Sequence, residues 1–112
     1  MNMIDYVYNA LTSLNIPVQW NIRPSTYPSI TYTFINSTGE AFGDGKEIGT
    51  AHYLQVDCWA KDKIDYINIV NGTKEKLLNS RFKRQTEIDL YEDNEKLYHK
   101  AIRFFYLENI SD

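Results

Sequence analysis

Cys58, His52 and His99 are the side chains best suited by type to hold a metal or attack a substrate, and their spacing argues against both. His52 and Cys58 fall on one face of an extended segment but six residues apart, about 20 Å at strand rise, whereas zinc ligands must converge on one ion. His99 belongs to a different strand, and no second pair completes a tetrahedral set. Cys58 follows Asp57 rather than a base that would favour its thiolate, and its parity points inward, as for a small core residue. The glycine-rich run Gly43-Asp44-Gly45-Lys46 is not a phosphate cradle. A P-loop would need Gly where Glu40 stands and Ser or Thr where Glu47 stands. Nor does it have the alternating acids and terminal Glu of a calcium loop. The carboxylates Glu87 with Asp89, and Glu92 with Asp93, read as solvated charges of a hairpin. No catalytic residue, metal site or cofactor is expected, and the chain does not read as an enzyme.

The 112 residues suffice for one domain with a single core, residues 1–112. Hydrophobic residues make up 43% and charged residues 24%, ordinary globular composition. No apolar run approaches the roughly 20 residues that span a bilayer, so no membrane role is expected. Asp5 and the lack of basic residues in MNMIDYVYNAL argue against a signal peptide, and the lone Cys58 fits a reducing compartment. The Asn-x-Ser/Thr matches at Asn36, Asn71 and Asn109 are then chance. The net charge of −3 resides in residues 1–60; the remainder is neutral. A short basic cluster, Arg81, Lys83 and Arg84, is bounded by acids, which does not favour direct nucleic-acid binding.

These side chains hang on a regular succession of elements. Ile4, Val7, Leu11 and Leu14 mark a helix over about 2–14, with Asn2 as N-cap, ended by Pro17. Residues 17–28 hold all three prolines and read as an irregular or edge connection pinned by Trp20 and Ile22. A strand follows at Ser29–Asn36. Thr50–Ala60 contains the clearest signal in the chain, because Leu54, Val56, Cys58 and Ala60 alternate with Tyr53, Gln55, Asp57 and Trp59. Between them Ser37–Gly49, with four glycines, reads as a long contact loop. Asp62 caps a second helix reaching about Asn79, with Ile67, Val70, Leu77 and Leu78 as its buried stripe and Gly72 off it. A hairpin closes the chain, Phe82–Tyr91 and Lys96–Leu107, turning at Glu92-Asp93-Asn94-Glu95. The expected fold is α+β, an antiparallel four-stranded sheet with two helices on one face, in the order helix-strand-strand-helix-strand-strand.

The last strand is apolar on both faces, with Leu97, Ala101, Phe105 and Leu107 opposite Tyr98, Ile102, Phe104 and Tyr106. Two helices cover one face, so the other needs another sheet, the Pro-rich segment or another subunit, the plainer alternative being local cover by Trp20, Tyr27 and Trp59. Tyr98, Ile102, Phe104 and Tyr106 are taken as the subunit contact. The partner-contact loop is represented by Gly39, Glu40, Phe42, Asp44, Lys46 and Glu47. Nine tyrosines also suit an interface protein.

The helix, PSITYTF, the Gly-rich segment, YLQVDCWAKD, the second helix and the terminal HKAIRFFYLE together resemble the tail-completion proteins of long-tailed bacteriophages and prophages, also called tail terminators or tail-to-head joining proteins. The resemblance spans nearly the whole chain, and VDCWA is its most specific part. It implies a six-fold ring of this chain that caps the tail tube and docks on the head completion or connector protein, with DNA only as passing cargo. It implies a place at the head-proximal end of the virion tail after assembly in the host cytoplasm. By position, the family's long loop between central strands, which faces the ring lumen or a neighbouring ring, corresponds to Ser37–Gly49. The alternative is a tail- or capsid-assembly chaperone absent from the mature virion.

Overall fold

The computed structural model describes the backbone of residues 2–43 and 46–109, and the side chains of 2–39 and 49–109. Asn2 starts helix α1 (Met3–Leu11) by accepting the backbone N–H groups of Ile4 and Asp5, and a 3-10 turn, Thr12–Leu14, follows. Then come β1 (Val18–Trp20), β2 (Ser29–Gly43), β3 (Lys46–Ala60), α2 (Lys63–Asn79), β4 (Lys83–Asp89) and β5 (Tyr98–Asn109). Asp62 caps α2 through the Asp65 N–H, as its position before the apolar stripe requires.

The sheet has five strands in the order β1-β2-β3-β5-β4. This corrects the expected four-stranded antiparallel sheet: β1 adds a fifth strand and makes the sheet mixed, because it pairs parallel to β2. Val18 lies opposite Ile30, the Ile30 N–H donates to the Pro17 carbonyl, and Asn21 leaves the strand at φ 59°. Three residues between a proline and a left-handed asparagine give no readable alternation, so this segment passes for a loop. Val18 is what anchors it; Trp20 and Ile22 are 43% and 57% exposed.

Both helices pack on one sheet face over a core that includes Val7, Leu11, Ile30, Leu54, Val56, Cys58, Val70, Leu77, Ile102 and Phe104. The inward parity of β3 is as its alternation dictates. The α2 stripe is rotated from the expected one: Ile69, Val70, Thr73 and Leu77 are buried, whereas Ile67 and Leu78 are about half exposed. Gly72 is not idle either, since a Cβ there would stand 2.8 Å from Leu14 Cδ2. The glycine lets the 3-10 turn approach α2. Tyr32 reaches across the core to donate its hydroxyl to the Ile4 carbonyl, and burial pushes its pKa up to about 12.

The molecule measures 53 × 25 × 21 Å, and its radius of gyration of 15.2 Å exceeds the roughly 13 Å usual for this length. Its two longest strands account for the excess. Ser37–Gly49, expected to be a loop, is instead largely the outer part of the β2–β3 ladder, with Gly39 opposite Thr50, Glu40 opposite Gly49 and Gly43 opposite Lys46. β2 has β1 beside it only at Ile30–Tyr32, and β3 has β5 beside it only from Gly49 onward. Beyond those limits the two strands run as a two-stranded arm.

Candidate partner-binding interface

The arm is rooted by a side-chain chain that crosses three strands. Ser37 Oγ lies 2.8 Å from His52 Nδ1, and His52 Nε2 lies 2.8 Å from Glu108 Oε1. Phe34 sets the edge of its ring against the imidazole, with centroids 6.3 Å apart. A Ser–His–carboxylate connection is that of a hydrolytic triad. Here, though, the serine sits in an extended, paired strand instead of on the sharp turn that exposes a nucleophile and gathers N–H donors for an oxyanion. The trio's evident effect is to tie β2, β3 and β5 together where the arm begins. Considering His52 only with Cys58 missed it. The signal lay in register, since Ser37 and His52 are paired residues.

A second polar cluster lies on the sheet face away from the helices. His99 is nine-tenths buried, with Nε2 2.7 Å from Asp57 and Nδ1 3.1 Å from Glu92. Its ring stacks on Trp59 at 3.7 Å, and the Trp59 indole N–H donates to Thr31 Oγ1. Arg23 lies over Trp59 and pairs with Glu95 at 2.7 Å, so the cluster clamps the 21–24 segment and the β4–β5 turn onto the sheet. Beside it Asn21, Ile22, Arg23, Thr33 and Trp59 line an open recess of about 410 Å³.

Burial opposes charging of His99, but the hydrogen bonds to Asp57 and Glu92 outweigh it and raise its pKa above the ordinary histidine value. A pKa raised on folding stabilises fully below the unfolded value, about 6.5, and that contribution is lost as pH rises through the folded value. The melting-temperature difference between the wild type and His99→Gln should therefore be largest below about pH 6.5 and shrink above it. Thermal scans across pH check this, and a pH-independent difference would contradict it.

The remainder of this face carries Tyr53 against Phe105, Gln55 bonded to Arg103, and the exposed side chains of Ile35, Ile88 and Leu107. No helix covers it among the described residues. The subunit contact expected at Tyr98, Ile102, Phe104 and Tyr106 is corrected by this arrangement. Ile102, Phe104 and Tyr106 point toward the helices and are buried in the chain's own core, and Tyr98 stacks on Tyr66 of α2. They are already occupied. Of the partner-contact residues, Gly39 is exposed and pairs with Thr50, where β5 still flanks β3; Asp44 and the side chains of Glu40, Phe42, Lys46 and Glu47 fall outside the described residues.

On the helix side, Glu87 gathers Lys74, Arg84 and Lys100 within 3.3 Å, and Tyr66 donates to Asp89. Burial pushes the Glu87 pKa up, but Lys100 and Lys74 outweigh it and hold the carboxyl below its usual range. Glu87 is thus a structural tie rather than a solvated charge. Cys58 is buried, its thiol pKa pushed up to about 12 by desolvation. Among the described residues no group of three or more His, Cys, Asp or Glu side chains could hold a metal ion, and no helix is long and apolar enough to cross a membrane.

No protein-family model matches the sequence, and no curated protein matches it. Among solved structures, the fold is similar to a chain described as the virion of a native gene transfer agent particle, with a TM-score of 0.66 over 92% of this chain and 91% of that one. The two share 8% sequence identity, so what they hold in common is the fold.

Proposed function

We propose that this chain is a structural, non-catalytic protein of a phage or prophage virion, and that it terminates the tail tube and joins it to the head completion complex as a ring. The observation that carries this reading is the end-to-end likeness of the fold to a virion chain, with neither protein left with a large unmatched region. The arm supports it. A two-stranded ribbon is marginal in isolation, so an extended one on a small domain suits a segment that docks on a neighbour. The uncovered sheet face, with Tyr53, Phe105 and Arg103, has the aromatic and arginine composition of protein contacts. The partners in this reading are other copies of the chain, the tail tube protein and the head connector, with DNA passing through.

Quantitative mass spectrometry of purified particles tests it against the chaperone alternative. A fixed copy number per mature particle is expected. Presence in assembly intermediates and loss from finished particles would overturn the structural role in favour of a transient assembly factor.

A further inference from the structure

The two edges of the sheet are guarded differently. β4, at one edge, carries Lys83, Arg84, Glu87 and Asp89 within its seven residues. At the other edge β1 flanks only Ile30, Thr31 and Tyr32 and ends where Asn21 turns away, so among the described residues no strand lies beside β2 from Thr33 onward. Residues 33–39 contain no charge and no proline, which usually keep an edge from pairing. Ile30 and Tyr32 turn backbone groups toward the β1 side, where the Ile30 N–H meets Pro17 and the Tyr32 carbonyl meets Asn21. The same alternation, carried through the bulge at Ile35, turns those of Phe34, Ser37 and Gly39 to the open side. Apolar side chains wall this lane on both faces. Trp20, paired with Tyr32, and Phe34 stand on the helix side, and exposed Ile22 and Ile35 on the other. Backbone donors and acceptors along a floor between apolar walls are what an added strand requires.

We propose that the same strand of a second copy fills this lane, β2 running antiparallel to β2 about a two-fold axis at Gly39. The fit of the arm sets that register. With Gly39 opposite Gly39, Ala41 of one copy faces Ser37 of the other, and Gly43 comes beside Phe34, so the uncharged stretch 41–43 fills the lane and stops short of β1. A register centred on Ser37 would instead drive the arm into β1. The other free edges suit the lane less well. β3 is unflanked only at Lys46, Glu47 and Ile48, and β4 would bring four charges to an uncharged edge. The inference names what the arm docks on. A two-fold contact closes on a pair of chains, so it is separate from the contact that closes a ring and does not rest on the ring reading.

The test uses the full chain in sedimentation, with circular dichroism to show that each variant is folded. The wild type should form a dimer. Ile35→Lys, which puts a charge into one wall, and Gly39→Pro, which removes an outward N–H without touching the β2–β3 ladder, should each weaken it by roughly tenfold or more. Directly opposed Cα atoms lie about 5.5 Å apart, within disulfide reach. Because Cys58 is fully buried, Gly39→Cys should give a disulfide-linked dimer under mild oxidation, and Gln85→Cys on the exposed β4 edge should not. Wild-type chains that stay monomeric at millimolar concentration would overturn the proposal. So would a dimer that both substitutions leave unchanged, or equal disulfide formation at positions 39 and 85. A monomeric wild type combined with loss of Ile35→Lys from particles would give the edge to a strand of another virion protein. Copy number in the particle is read separately, so failure here leaves the virion role standing.

Discussion

Val56→Asp is expected to abolish folding. Val56 is fully buried on the central strand β3, between Tyr32 on β2 and Ile102 on β5, and beneath the helices. An aspartate there meets apolar neighbours, so it must either be buried as an unpaired charge or hold a proton at neutral pH. Such substitutions belong to the small class costing more than about 4 kcal/mol, comparable with the whole stability of a domain this size. Circular dichroism should show loss of the cooperative transition. Val56→Ala, which leaves only a cavity, should remain folded with a lower denaturation midpoint. A cooperatively folded Val56→Asp protein would mean that this face of β3 is not the core.

Replacing Gly39–Thr50 with Asn-Gly, so that Thr38 is joined to Ala51 by a tight hairpin turn, should have the opposite profile. The cut lies just beyond the Ser37–His52–Glu108 tie and at the end of the β3–β5 ladder, leaving the helix-covered core untouched. Asn-Gly supplies the positive φ values that a two-residue turn requires. Thermal stability should change by about 1 kcal/mol or less, whereas joining of heads to tails in an extract complementation assay should be lost. Unimpaired joining by the shortened chain would reduce the arm to a spacer.

How much of this was legible depended on whether one element could be read alone. β3 was: strict alternation from Tyr53 to Ala60 matches the face turned to the helices and the face turned away, although Trp59 on the latter is itself buried. The arm was misread because its glycines suggest turns. In the ladder, Gly39, Gly43 and Gly49 instead sit opposite Thr50, Lys46 and Glu40, so each bare backbone position faces a residue with a side chain. On α2 the buried residues 69, 70, 73 and 77 and the partly buried 66 have helical spacing, but threonine and tyrosine occupy two of these positions. The alternative stripe through Ile67 and Leu78 therefore looked more apolar.

The apolar faces of β5 posed a harder problem. Either could have met the helices, and hydrophobicity does not choose between them. Pairing does, since Ile102 lies opposite Val56 and Phe104 opposite Leu54. That information belongs to the register between strands more than forty residues apart. The His99 cluster was hidden for the same reason: Asp57, Trp59, Glu92 and Arg23 converge only when β3, β5, the turn and the 21–24 segment are assembled.

The most direct test of the account is a cryo-electron reconstruction of the head–tail joint in particles produced by the element that encodes this chain. A closed ring of copies at the head-proximal end of the tail tube is the predicted result, each copy with its β2–β3 arm against a neighbouring subunit or ring. Intact, joined particles in which that layer is built from another protein, with this chain nowhere in the density, would contradict it.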